Sequence, residues 1–394
     1  MPSDPPAPRH DATRASSALA RRALRLLRDA WVIVGLALAL MVGLELAYRA
    51  QGALRRRPVS VAHLPGVPAA PPSSAAWYAE WKREQDDAVN HTRWDPHRGW
   101  WPRPYASRYV NVDSLGRRVT PQSVPVGAPR RVLLLGGSTM WGYTARDSFT
   151  IPALVASALL RGGVHDIEIV NLAQPAFTST QAAITLLLEL RRGERPMAVV
   201  FLDGGNDVAT AYQSGVPGAV FNEGRAAERW ERGGRTPGDG LRALASHLTL
   251  LTRLSGRGTG SSPAASDSAR KHLCGAVAEQ YVQNAQSIQA IGRDRGFVTL
   301  FLWQPLLATT KKQTTPAEDS VADFPGYGVM LQRCSALVDS LAPPRLGGDF
   351  AQLAGLFDEE RGTVFLDNAG HVTEQANGIV AERIATLLLD RLGR

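Results

Sequence analysis

The chain has 394 residues, 44% of them hydrophobic and 20% charged, which is ample for a packed core and excludes a chain disordered throughout. The formal net charge of +8 raises nucleic acid as a partner, but the arginines crowd the two flanks of one apolar stretch near the N-terminus. Arg21, Arg22, Arg25 and Arg28 precede it and Arg49, Arg55, Arg56 and Arg57 follow it, an arrangement that points to a membrane surface, and no basic-aromatic stripe elsewhere fits nucleic acid.

In chain order, residues 1–29 form a short basic tail that suits the cytoplasm, and 30–48 (AWVIVGLALALMVGLELAY) reads as a transmembrane anchor with Trp31 and Tyr48 at its interfaces. A cleaved signal peptide is the competing reading, with a weak small-x-Ala site around Tyr48, Arg49 and Ala50. Both readings export the body of the protein. Residues 49–75 are a Pro/Ala-rich linker, and 76–130 an aromatic-rich extension holding Trp77, Trp81, Trp94, Trp100 and Trp101. Such a cluster either stacks on sugar rings or glues the extension onto the domain that follows.

From residue 131 the pattern becomes strands alternating with helices, the mark of a mostly parallel sheet covered on both faces, so 131–394 reads as one three-layer α/β/α domain. Strands are expected at 131–135, Ile167–Val170, Met197–Leu202, Phe297–Trp303 and, as a fifth, Thr363–Leu366, with helices over Thr180–Leu190 and Leu273–Arg293. An insertion, 208–296, carries a Gly/Arg-rich loop at 215–240, a helix near 241–254 and a flexible stretch at 256–268. The two cysteines, Cys274 and Cys334, could form one disulfide in an exported protein, though spacing does not show that they meet. No Cys/His cluster has metal-ligand spacing, and neither a metal nor another cofactor is expected.

Ligands of open α/β sheets bind at the carboxyl ends of the strands, so the residues just past each strand are the candidates. They are Gly136-Gly137-Ser138, then Asn171-Leu172-Ala173, then Asp203-Gly204-Gly205-Asn206-Asp207, and finally Asp367-Asn368-Ala369-Gly370-His371. A serine, a backbone turn, an asparagine and an acid close to a histidine are the parts of an acyl-transfer site: nucleophile, oxyanion donors, base and orienting group. Other motifs fail: Tyr143 stands where a phosphate loop needs lysine, and Met140 where an α/β-hydrolase elbow needs glycine. Each residue also has a plain structural role open to it, Ser138 in a turn, Asn206 at a strand end, Asp207 as a helix cap, His371 in a loop.

Together GGSTMWG, NLAQPAFTSTQ, GGND and DNAGHVTEQANGIVAERI resemble, in order and placement, the four blocks of the SGNH (GDSL-like) hydrolase family along nearly all of 131–394. The upstream WDPHRGWWPRPYASRYVNVDSLGRR is similar to the lead-in of membrane-anchored members associated with polysaccharide modification. The resemblance implies an SGNH/flavodoxin-like fold, Ser138 as nucleophile and first oxyanion donor through its N–H, Asn206 as a side-chain donor and His371 as base. It places Ala173 at the second block's usual glycine, its N–H completing the oxyanion hole, while Ala176 is a further alanine in place of glycine. The family's acid falls three residues before the histidine, where this chain has Asn368; Asp367, four before, is the expected acid if the turn holds one more residue. The implied function is a membrane-anchored, extracytoplasmic serine esterase acting on O-acyl, chiefly acetyl, esters of carbohydrate. An O-acyltransferase using the same site, a lipid esterase and an inactive cell-envelope scaffold are the alternatives, and protein partners are not legible.

Overall fold

The computed structural model describes residues 76–123, 130–221, 267–322 and 326–393, with most of 22–47. The chain divides into two units, with the N-terminal helix in one and the body in the other. Helix α1 (Leu24–Leu44) has 21 residues and an 18-residue stretch of mean hydropathy 1.9, the one helix among the described residues long and apolar enough to cross a membrane. At 1.5 Å per residue it reaches about 31 Å, the thickness of a bilayer's hydrocarbon core. It begins earlier than the expected 30–48, because Arg25 and Arg28 join the same helix. An anchor and a signal sequence share these properties. The linker 49–75 lies outside the described residues.

In the body, α2 (Tyr78–Asn90) is followed by a hairpin of β1 (Thr92–Asp95) and β2 (Gly99–Pro102). The core α/β elements are β3 (Arg130–Gly136), α3 (Ser138–Trp141), α4 (Ile151–Arg161), β4 (Ile167–Asn171), α5 (Ser179–Arg191), β5 (Ala198–Asp203), α6 (Gly205–Ser214), α7 (Asp267–Arg295), β6 (Val298–Trp303), α8 (Pro316–Asp319), α9 (Tyr327–Leu346), β7 (Phe350–Gln352) and α10 (Glu374–Leu392).

Five strands pair in parallel in the order β4-β3-β5-β6-β7. By position in the chain that is 2-1-3-4-5, the flavodoxin-like order, whose ligand crevice opens where the connections reverse between the first and third strands. Those strands are β3 and β5, the ones that lead into Ser138 and Asn206. The aliphatic runs of β3 and β5 are buried on both faces. Val132, Leu134, Val200 and Leu202 pack with Ile151, Val155, Val380 and Ile384 of α4 and α10. Leu133, Leu135, Val199 and Phe201 pack with Leu186, Val277, Ile288 and Val338 of α5, α7 and α9. This two-sided covering explains why these strands lack alternation.

The expected fifth strand at 363–366 is corrected by the structure. The edge position beside β6 belongs to β7, three half-buried residues that sequence pattern did not mark because they are short and contain Gln352. Phe365 instead bridges Val372 antiparallel, and Leu366 N–H donates to the His371 carbonyl at 2.9 Å, so the segment closes a tight turn over 367–371. Helix α7 begins at Asp267, inside the stretch read as flexible, and packs as part of the sheet's covering layer; the loop and helix expected between 222 and 266 lie outside the described residues.

The aromatic extension is built into this domain. Trp81 and Trp101 are buried, whereas Trp94 is 71% exposed. Glu84 accepts hydrogen bonds from Ser107 Oγ and the N–H groups of Arg108 and Tyr109. The buried Arg118 pairs with Asp147 at 3.0 Å and donates to the carbonyls of Gly142 and Ala145, fixing the loop that follows Ser138. Cys274 and Cys334 meet in a disulfide, their Cα atoms 4.7 Å apart and 60 residues apart in sequence. Closing a loop of that length stabilises by about 4 kcal/mol in the chain-entropy account.

Candidate active site

Strand β3 ends on two glycines for steric reasons the structure makes explicit. A Cβ on Gly136, at φ 144°, would sit 2.2 Å from the Leu202 carbonyl oxygen of the adjacent strand. A Cβ on Gly137 would sit 2.4 Å from Asn206 Nδ2. Any side chain at either place would push β5 and its asparagine away from Ser138. The short helix α3 then carries Ser138 at its start and turns away at Gly142, φ 92°.

Ser138 Oγ lies 2.7 Å from His371 Nε2, and His371 Nδ1 lies 2.5 Å from Asp367 Oδ2. The three side chains expected from sequence thus stand in one hydrogen-bonded line at the carboxyl end of the sheet. Asp367 Oδ1 also accepts from the N–H groups of Ala369 and His371, at 2.9 and 3.2 Å, which folds the extra residue into the turn. Burial opposes ionisation of Asp367, but the hydrogen bond and charge of His371 and those two N–H groups outweigh it and hold the carboxyl below its ordinary range. Asn368 forms no hydrogen bond among the described residues.

The histidine turn is fastened to the serine loop from several sides. Thr139 Oγ1 donates to the Gly370 carbonyl, Thr144 Oγ1 to the Val372 carbonyl, and Arg146 makes a forked ion pair with Glu374. The Tyr143 ring packs over the imidazole with centroids 4.7 Å apart. On the far side, the buried Glu318 accepts from Lys312 Nζ and from the N–H groups of Thr315, Val364 and Phe365. Burial alone would raise its carboxyl, yet these donors hold it below the ordinary range.

Asn206 lies in the first turn of α6, with Nδ2 2.8 Å from the Phe177 carbonyl and against Gly137. One amide hydrogen is used on Phe177, and the other has no partner among the described residues. Beneath it Asp207 accepts from Ser179 N–H and Oγ, and burial pushes its carboxyl up to about 6. Burial and the neighbouring Asp207 charge push Asp203 well above the carboxylate range, and neither of its oxygens has a partner among the described residues.

Ala173 is where the structure departs from the expected site. It is fully buried and its N–H donates to Asn171 Oδ1 at 3.2 Å, so that donor is already spent within the strand exit. The backbone instead singles out Ala176, the one non-glycine residue with positive φ, 63°, among those described. Its N–H has no partner among the described residues. It sits in a turn tied to the serine loop by Gln174 N–H on the Gly136 carbonyl, and the Phe177 carbonyl lies 3.4 Å from where a Gly137 Cβ would be. A positive φ is where glycine is ordinarily found, so of the two alanine-for-glycine positions in the second block the informative one is 176. Among the described residues no group of three or more His, Cys, Asp or Glu side chains is placed to hold a metal ion.

No family model matches the chain, and no curated protein matches it. Among solved structures it is similar to the acetyl xylan esterase AlAXEase, at 12% identity over 65% of this chain and 98% of that one, with a TM-score of 0.38. A catalytic mutant of an acetylxylan esterase from Geobacillus stearothermophilus is similar at 12% identity over 69% of this chain and 97% of that one, TM-score 0.36. The psychrotrophic esterase EstA from Pseudoalteromonas sp. is similar at 12% over 67% and 100%, TM-score 0.35.

Proposed function

We propose that the chain is a serine esterase of the SGNH type, anchored to a membrane, with its body outside the cytoplasm and O-acyl esters of carbohydrate as substrates. The observation that carries this reading is the line Ser138–His371–Asp367, at 2.7 and 2.5 Å. Ser138 Oγ attacks the ester carbonyl as its proton passes to His371 Nε2, and Asp367 stabilises the imidazolium. The tetrahedral oxyanion is held by the N–H groups of Ser138 and Ala176 and by Asn206 Nδ2. Collapse expels the alcohol, which takes the proton from His371, and a water activated by the same imidazole releases the acid and restores Ser138.

Export is supported by the apolar α1 and by the disulfide, a bond that persists in oxidising compartments. A reporter fused after Arg394 is expected to be active only outside the cytoplasm, on a chain that keeps its N-terminus. A mature chain beginning near residue 50 would show a cleaved signal instead, and a reporter active in the cytoplasm would refute export.

The chemistry is tested on the full chain in detergent with p-nitrophenyl acetate and a fluorophosphonate. Turnover is expected, with the phosphonate mass on the peptide containing Ser138. Absence of both turnover and labelling would remove the esterase reading and leave a scaffold protein.

A further inference from the structure

A cleft of about 730 Å³ is lined by residues of the β1–β2 hairpin and, from the α/β body, by Trp141, Gln174 and Ala176. Trp141 closes the helix that starts at Ser138, and Ala176 carries the N–H assigned to the oxyanion, so the cleft shares two of its walls with the elements that build the reacting centre. The hairpin side of the lining belongs to the extension. Trp94 and Trp100 are directly opposite in the antiparallel hairpin register, hence on one face of it. Trp100 is half-buried against Phe177, with ring centroids 5.4 Å apart, while Trp94 is 71% exposed.

A hairpin face that carries two tryptophans, one of them 71% exposed, offers aromatic surface to a ligand. The rest of the lining includes Asn90, Thr92 and His97, and the one Lys, Arg, Asp or Glu along it is Arg98, which Asp95 neutralises at 2.8 Å. Aromatic faces interleaved with amide and hydroxyl groups and without net charge complement a ligand with apolar C–H faces and polar edges. A neutral sugar chain has that chemistry, whereas an acidic polymer would find no exposed cation along this lining, Arg98 being 2% exposed.

We propose that this cleft is a binding subsite for neutral sugar units adjoining the acylated one, with Trp94 and Trp100 as its stacking platforms. The inference rests on the esterase reading for its substrate class but is tested separately from it. The probes are neutral glucose, xylose and N-acetylglucosamine hexamers, with a mannuronate hexamer as acidic control, titrated calorimetrically into full-length Ser138→Ala. At least one neutral hexamer is expected to bind more tightly than the acidic one, and Trp94→Ala to weaken it on the order of tenfold, the scale of one lost stacking face. Because Trp94 is exposed, that variant keeps its fold. With Ser138 intact, Trp94→Ala is expected to raise KM for an acetylated form of the hexamer that binds by more than it raises KM for p-nitrophenyl acetate.

No binding by any neutral hexamer, tighter binding of the acidic one, or affinities untouched by Trp94→Ala and Trp100→Ala would overturn the subsite. So would loss of self-association as the sole effect of either substitution. Hexamer binding without ester turnover would remove the esterase reading and keep the subsite; turnover without hexamer binding would do the reverse.

Discussion

Asp367→Ala is expected to lower kcat about 10⁴-fold, the scale for removing the group that orients a catalytic imidazole, and Asn368→Ala by no more than about twofold, as for a side chain without partners. Asp367 Oδ2 is 2.5 Å from His371 Nδ1, a contact that favours the tautomer with its proton on Nδ1, in which Nε2 accepts from Ser138 Oγ. Without that carboxylate the imidazole takes the other tautomer in part, and its charged form loses its counterion. The carboxyl is also held below its ordinary range, so it stays ionised through neutral pH, where an ester hydrolase with a histidine base works. Asp367 shapes the turn as well, through Ala369 N–H and His371 N–H, so the alanine variant is paired with Asp367→Asn. Asparagine keeps an acceptor for the turn but has no negative charge for the imidazolium. Both variants slow to a similar degree with little change in melting temperature of the asparagine form if the role is electrostatic. Recovery of near-normal kcat in Asp367→Asn would reduce Asp367 to a turn former, and a larger loss in Asn368→Ala would move the orienting role there.

The parts of this site legible in sequence are those whose chemistry depends on side-chain type: Ser138, Asn206, His371 and an acid close before the histidine. Their meeting follows from one topological fact, that β3 and β5 are neighbours at the reversal of a parallel sheet. Backbone donors are another matter. An N–H is common to nearly every residue, so choosing between Ala173 and Ala176 needed the φ of 63° and the hydrogen bond that already occupies Ala173. The fifth strand was misplaced for a related reason: Thr363–Leu366 is apolar enough for a strand, but what pairs with β6 depends on where α9 returns the chain. The three residues Phe350–Gln352 are too few to give a periodicity to read. The extension likewise read as a separate segment, because the bonds from Arg118 to Asp147 and to the Gly142 and Ala145 carbonyls are long-range contacts that pattern does not encode. The cysteines could be counted but not paired until α7 and α9 were seen side by side.

Asn206→Ala is expected to lower kcat on the order of 10²–10³-fold while KM stays nearly unchanged, because its free amide hydrogen meets charge that develops only in the tetrahedral state. The same side chain has a structural bond, Nδ2 to the Phe177 carbonyl at 2.8 Å, and loss of that bond costs about 1 kcal/mol of stability. Kinetics and melting temperature on one preparation separate the two contributions. Gly137 sharpens the assignment: a Cβ there would collide with Nδ2, so the chain keeps glycine where the asparagine reaches toward the serine loop. A purely structural asparagine would stabilise the Phe177 turn and leave turnover per folded molecule intact after substitution. With the oxyanion role, the variant still reacts with a fluorophosphonate, since His371 continues to activate Ser138, but more slowly, because phosphonylation also builds negative charge on the oxygen facing the hole. A lowered melting temperature with wild-type kcat and wild-type labelling rate would take Asn206 out of the mechanism, leaving the N–H groups of Ser138 and Ala176 as the hole.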